Sequence, residues 1–480
     1  MTVRPLPSST PSVQGVDASG VLAFLDAVDA AGHIEPHSLM ILRHDHVVAA
    51  GWWAPYAPDR LHLLYSLSKS FTATAAGFAV AEGLIRLDDP VISYFPEFEA
   101  DITDPRSRAM RVRHVASMAS GHEDETYERA AALDSDELVR GFLLLPPERD
   151  PGTVFAYNQP ATYTLATILQ RVTGQSLTDY LRPRLLDPLG IGDVAWLTWH
   201  GREVGFSGLH GTTDAIARLG LLYLREGVWE GKRLLSREWV AEATSALVPT
   251  AGAVEDTEQP DWQQGYGFQF WQSRHGYRGD GAYGQFCLVL PEQDAVIAIT
   301  SATTDLQAVL DLVWQHLLPA FGPRALTGRD AVDAALADRL ARLALPPAPG
   351  KPAPPDRAGQ WSAAEFTPYG GVCADQPSLT GAVVTADADG WTLTLVEESG
   401  RLGLRLDSGG WSVAEEPVPT AVSGGWTDGA TLVVDVTFLE TPHRLRVTCS
   451  LAGRTFTARW ATEPLHGGPL RRLRAPRPSV

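Results

Sequence analysis

The eleven residues Leu345 to Pro355 read LPPAPGKPAPP, and six of them are proline. Proline lacks a backbone donor and fixes φ, so such a run neither continues a helix nor sits inside a sheet. It makes an extended linker. The chain is therefore expected to divide into residues 1–344 and residues 356–480. The second part shows β-type runs over Trp391–Val396, Leu432–Phe438, Arg444–Leu451 and Thr455–Trp460. Such runs, set off by turns, predict a small all-β barrel or sandwich.

The first part has a different pattern. Val16–Ala30 carries apolar residues at helical spacing, with Asp17 as its cap. Ser38–Arg43 and Val47–Trp52 read as strands around the turn His44-Asp45-His46. Ser66–Glu82 reads as a long helix, stopped by Gly83. From about residue 88 to 262 helices and Pro/Gly-rich loops dominate, and strands return at Tyr266–Trp271, Phe286–Pro291 and Ala295–Ser301 before a helix over Asp305–Leu318. An α+β fold follows, with one sheet assembled from both ends of this part and a mainly helical insertion between them.

Net charge of −18 disfavours nucleic acid, and the one basic cluster (Arg471, Arg472, Arg474) is a terminal tail. No uninterrupted run of about 18 apolar residues predicts a membrane span. Met1–Gln14 is polar and Pro/Ser-rich, unlike a signal peptide. Cys287, Cys373 and Cys449 are odd in number and lack metal-ligand spacing, which suits free thiols in a reducing cytoplasm. His33 and His37 are four apart, but Pro36 between them opposes a helical metal pair. No metal and no cofactor are expected.

Three of the 39 basic residues are lysines: Lys69, Lys232 and Lys351. Where only positive charge is needed this chain uses arginine, so a retained lysine has another use. Lys69 closes Ser66-x-x-Lys69 at a predicted helix start. Positions three apart share one helix face, so the amine meets the hydroxyl. A lysine with a lowered pKa can take the serine proton, whereas a guanidinium essentially never loses its own. The competing reading is a helix cap followed by a surface lysine.

Two further segments carry polar groups in glycine-containing contexts. Tyr157-Asn158-Gln159 precedes a helix over Ala161–Val172 and offers a phenol for proton transfer; alone, it reads equally as a core tyrosine beside a capping asparagine. Gly279-Asp280-Gly281-Ala282-Tyr283-Gly284 leads into the strand at Phe286. Its glycines match the dinucleotide fingerprint only formally, since a strand follows and no helix does. They fit backbone held close to a ligand. His122, before Glu123-Asp124-Glu125, is a candidate for lining the cleft, against the more ordinary reading of a solvated loop. Trp52, Trp53 and Trp271 are candidates for an acyl-pocket wall, with core packing as the default.

Taken in order, Ser66-x-x-Lys69, Tyr157-Asn158-Gln159 and the Gly-rich element before Phe286 resemble the three active-site elements of serine β-lactamase and penicillin-binding-like proteins. The similarity is strongest to the class C branch, which also holds family VIII esterases, D-amino-acid peptidases and amide hydrolases. It extends over about residues 15–320 and includes Ser117-Met118-Ala119-Ser120-Gly121-His122 and Gly227-Val228-Trp229-Glu230-Gly231. The resemblance implies an antiparallel sheet between helices, an acyl-enzyme on Ser66, and proton traffic through Lys69 and Tyr157. It also implies an oxyanion held by the Ser66 N–H and by an N–H near Gly281 or Ala282, with Asn158, Gln159 and His122 around the substrate. Two departures stand out. Gln159 replaces the usual asparagine, and Gly279-Asp280-Gly281 replaces Lys-Thr-Gly or His-x-Gly.

The expected function is hydrolysis of an ester, amide or peptide bond in a small molecule through acyl-Ser66. An acyltransferase is the alternative within enzymes, and a non-catalytic ligand-binding or sensor protein the alternative outside them. The missing cation and the added Asp280 disfavour penicillins. Neither nucleic acid nor membrane is an expected partner, and oligomeric state has no signal in the sequence.

Overall fold

The computed structural model describes residues 4–252, 259–388, 390–407 and 409–477. The first helix, α1 (Ala18–Ala30), starts at its expected cap: the Asp17 side chain accepts from the Ser19 N–H. It leads into β1 (Glu35–Arg43) and β2 (His46–Trp52). Four later strands complete the sheet: β3 (Trp271–Gln272), β4 (Tyr277–Gly281), β5 (Gln285–Leu290) and β6 (Ala295–Ala302). The order is β3-β4-β5-β6-β1-β2, antiparallel throughout. Its centre thus joins the two ends of the first part, as the separated strand signals required. Every residue of β5 and β6 is buried, which explains their nearly unbroken apolar runs.

Between β2 and β3 lies the mainly helical stretch. It includes α2 (Ser68–Ala81), α3 (Gln159–Thr173) and α4 (Thr213–Leu224), the last packing on β1, β5 and β6. Short strands interrupt it, among them Leu209–Gly211, which pairs with His62–Leu63 just ahead of α2. Two expectations are corrected in this region. Tyr266–Trp271 is not a strand, because Gln269 takes a left-handed φ of 58° and turns the chain. The Gly-rich element is not a loop before a strand: Tyr277–Gly281 is itself β4, and its glycines hid it.

The second part forms one nine-stranded sheet between Ala364 and Trp460. All its neighbours are antiparallel except Ala364–Pro368 beside Thr455–Trp460. The edge strand Gly400–Leu406 comes back against Thr420–Trp426 near the other edge, so the sheet curls around Trp361, Trp426, Phe438 and Phe456. Its outer turns dock on the first part. The Leu63 N–H donates to the Glu440 carbonyl (2.8 Å), the Tyr56 hydroxyl to the Thr441 carbonyl (3.3 Å), and Arg444 pairs with Glu35 (2.8 Å). Among the described residues no helix is long and apolar enough to cross a membrane. The three cysteines are free and buried.

Candidate active site

Ser66 sits where His62–Leu63 gives way to α2. Tyr65–Leu67 form a single 3-10 turn, and Tyr65 takes a φ of 48°, a left-handed conformation unusual for a bulky residue. Ser68 locks the turn: its Oγ donates to the Tyr65 carbonyl (2.5 Å) and accepts from the Leu209 N–H (3.0 Å). The helix expected from Ser66 therefore begins at Ser68, two residues later. Ser66 stays partly exposed while Leu67, Ser68, Lys69 and Ser70 are buried.

Lys69 is 1% exposed, with Nζ 3.0 Å from Ser66 Oγ. It also donates to Gln159 Oε1 (2.7 Å) and to the Phe206 carbonyl (2.8 Å). Carbonyl oxygens only accept, so a neutral amine commits its two N–H bonds to them and turns its lone pair toward the Ser66 hydroxyl. Burial lowers the amine pKa to about 7, opposed in part by the carboxylates of Asp280 and Glu125. That places the change of charge near neutral pH, where a general base works best.

The Tyr157 ring lies 4.6 Å from Lys69 Nζ and stacks on Trp271 (5.5 Å between centroids, 18° between planes). Burial, helped by the nearby Asp280, pushes its hydroxyl well above the ordinary phenol range; a hydrogen bond with Ser66 works the other way. Tyr157 is thus a neutral phenol near neutral pH. Gln159 opens α3, and its N–H is taken by Glu125 (3.0 Å). Its side chain reaches Lys69 because the glutamine stem is longer than that of the asparagine usual in relatives.

Asn158 and His122 are not brought to the serine. Asn158 is fully buried and its Oδ1 accepts from the Thr126 hydroxyl (2.8 Å), so it ties the loop before α3 to the loop before Tyr127. His122 is fully buried as well. One ring nitrogen faces Ser120 Oγ (3.0 Å), the other the Leu145 carbonyl (3.2 Å), and the ring lies against Phe142. It is neither a cleft residue nor part of a solvated loop.

Strand β4 runs directly against the serine turn. A Cβ at Gly279 would fall 2.5 Å from both Leu67 Cδ1 and Ser70 Oγ, and one at Gly281 would fall 2.1 Å from the Leu64 carbonyl oxygen. The alternate glycines let backbone lie on backbone here, which brings Ala282 beside the residues around Ser66. Arg278 and Asp280 share the strand's other face. The guanidinium is fully buried, donates to Asp280 (3.0 Å), to the carbonyls of Asp261 (2.8 Å) and Gln272 (3.0 Å) and to Ser273 (2.6 Å), and lies over the Trp262 ring. Asp280 is therefore not the uncompensated anion that its place in the sequence suggests. Desolvation raises its pKa and Arg278 pulls it back.

Three groups at the site were beyond sequence reasoning. The Phe206 carbonyl has no sequence signal, and Glu125 stood only as part of an acidic run. Trp271 was a candidate wall; it stacks on Tyr157, whereas Trp53 donates to Asp29 of α1 (3.3 Å).

The model of the family described as Beta-lactamase matches residues 22–320. The 6-aminohexanoate-dimer hydrolase of Paenarthrobacter ureafaciens is 30% identical over 286 residues, which cover 56% of this chain and 73% of that protein. Esterase EstB of Burkholderia gladioli is 26% identical over 220 residues, 40% of this chain and 55% of that esterase. Among solved structures, EstCE1, described as a hydrolase with promiscuous acyltransferase activity, superposes with a TM-score of 0.50 at 18% identity, covering 68% of this chain and 99% of that one.

Proposed function

The chain belongs to the beta-lactamase family, and on that footing we propose that it hydrolyses an ester or amide bond of a small molecule through a covalent acyl-Ser66 intermediate. The observation that carries this reading is the 3.0 Å approach of Lys69 Nζ to Ser66 Oγ, with the other two Nζ partners both carbonyl oxygens. In the proposed reaction Ser66 Oγ attacks the substrate carbonyl carbon and its proton passes to Lys69. The oxygen that becomes negative is held by the N–H groups of Ser66 and Ala282. The departing alcohol or amine takes a proton delivered through Tyr157. Water then attacks the acyl ester, gives up a proton along the same route, and releases the acid and free Ser66.

The division of labour belongs to the same reading: residues 1–344 as the catalytic unit, 345–355 as linker and 356–480 as the β unit. Free buried thiols fit a reducing compartment such as the cytoplasm. A fluorophosphonate probe tests the nucleophile. It is expected to label the wild-type protein and not Ser66→Ala, with both showing the same circular dichroism. Equal labelling of the two sinks the assignment.

Acyl transfer is the second reading, since EstCE1 is described as having promiscuous acyltransferase activity. Product analysis with an added alcohol or amine separates it from hydrolysis.

A further inference from the structure

Two tyrosines flank the two proposed oxyanion donors. Tyr65 precedes Ser66 and Tyr283 follows Ala282. Both take left-handed backbone conformations, at φ 48° and 67°. A non-glycine residue holds such a conformation only where its surroundings enforce it. Their rings meet edge to face, 5.4 Å between centroids and 64° between planes. His443 of the C-terminal sheet closes the group, edge-on to Tyr65 (5.8 Å, 85°) and to Tyr283 (5.4 Å, 84°). All three are buried, His443 to 1% exposure.

Each ring is also tied by a hydrogen bond to the C-terminal part. The Tyr65 hydroxyl lies 2.6 Å from His443 Nε2, and His443 Nδ1 lies 3.0 Å from the Thr462 carbonyl. The Tyr283 hydroxyl donates to the Glu463 carbonyl. The Leu465 N–H reaches the Tyr65 oxygen as well. These contacts fix the tautomer. A carbonyl only accepts, so Nδ1 carries the proton, Nε2 presents its lone pair, and the Tyr65 O–H donates to it. Burial lowers the His443 pKa to about 4, so the neutral ring that this arrangement needs persists across the ordinary working range of pH.

We propose that the C-terminal sheet sets the geometry of the oxyanion-binding backbone, with His443 as a positioning residue that acts through Tyr65 on Ser66. Tyr65 and Tyr283 are each one residue from a donor, so clamping the two rings fixes the separation of the Ser66 and Ala282 N–H groups. The inference rests on the acyl-Ser66 reading and adds a task for residues 443–465, which lie far from Ser66 in sequence and outside the segment matched by the family model.

The test uses full-length protein and a nitrophenyl butyrate. His443→Phe keeps an edge-on ring and removes the acceptor; His443→Gln restores a side-chain carbonyl that accepts. Removing an oxyanion donor outright costs about 100- to 1,000-fold in kcat. Misplacing one is therefore expected to cost His443→Phe about tenfold or more in kcat, with KM within about twofold and a parallel loss in affinity for a trifluoromethyl ketone that mimics the oxyanion. His443→Gln should recover most of both. Tyr65→Phe, which lacks only the hydroxyl, repeats the kcat loss and serves if His443→Phe does not fold. Unchanged kcat in the folded variants overturns the proposal. Equal losses in Phe and Gln that follow a lower melting temperature also overturn it, because they mark a purely structural role. Wild-type protein that fails to react with a fluorophosphonate overturns the serine-hydrolase reading instead, so the two failures are distinguishable.

Discussion

Lys69 and Ser66 face each other across 3.0 Å, with the amine at 1% exposure and the hydroxyl partly open to solvent. This asymmetry is what a base and a nucleophile need. The base is desolvated and its pKa falls, while the nucleophile stays within reach of a substrate. Charge alone is not the requirement, so Lys69→Arg is expected to be nearly as inactive as Lys69→Ala. Both should lose about 100- to 10,000-fold in kcat, the span of general-base catalysis. Steady-state kinetics on a nitrophenyl ester decide it. An arginine variant that keeps most of its kcat shows that Lys69 only supplies positive charge.

The pH profile follows from the same burial. The Lys69 pKa is lowered to about 7, and the neutral amine is the active form. Below that pH the ammonium has no lone pair for the Ser66 proton, so kcat/KM is expected to rise with pH and level off above about 7. On the acid side it should fall about tenfold per pH unit. Measuring kcat/KM between pH 5 and 9 checks this. A profile already flat from pH 5 assigns the base elsewhere.

Gly281→Ala tests the contact between β4 and the serine turn. The added Cβ would fall 2.1 Å from the Leu64 carbonyl oxygen and 3.2 Å from the Leu67 nitrogen, both backbone atoms that cannot rotate aside. A loss of about 1–3 kcal/mol in stability is expected, as for other overpacked sites, together with a lower kcat as Ala282 is pushed away from Ser66. Thermal melting and ester kinetics report the two effects. A variant that melts and turns over like wild type shows that the strand is not held against the turn.

Esters are expected to be turned over far faster than cephalosporins. A β-lactam carries a carboxylate beside its reactive carbonyl, and binding it calls for a free cation. Arg278 is near in sequence, but its guanidinium is fully buried and engaged by Asp280, Asp261, Gln272 and Ser273. An unpaired carboxylate losing its water is a cost without return. Comparing kcat/KM for a chromogenic cephalosporin and a nitrophenyl butyrate settles the point, and comparable values refute it.

Much of this was legible in the sequence where one residue type had one physical use. Lys69 stood out in a chain that otherwise prefers arginine, and β1, β2, β5 and β6 announced themselves by apolar residues without glycine. Strand β4 did not, because the glycines at 279 and 281 that let it approach α2 also erase its β signal. Gly400–Leu406 and Thr420–Trp426 were missed for the same reason, each carrying two glycines. His122 and Asn158 sit beside motif residues but point into the interior, a matter of side-chain direction that spacing does not encode. The pairing of Asp280 with Arg278 followed neither from composition nor from motif, since only the period-two geometry of a strand puts both on one face.

The pairing of β1 with β6 joins Glu35 to Ala302 and Arg43 to Ala295. A chain emerging from the ribosome makes the β1–β2 hairpin early and then waits through the whole helical stretch before the strand that completes the centre of the sheet exists. Until then one apolar edge of β1 is without its neighbour, and closing so long a loop carries an entropy cost that contacts near in sequence do not share. Folding of this sheet is consequently slow and late for its size, governed by topology more than by the strength of any one contact. The unpartnered edge of β1 is where a nascent or heat-opened molecule is most exposed to pairing with another copy of itself.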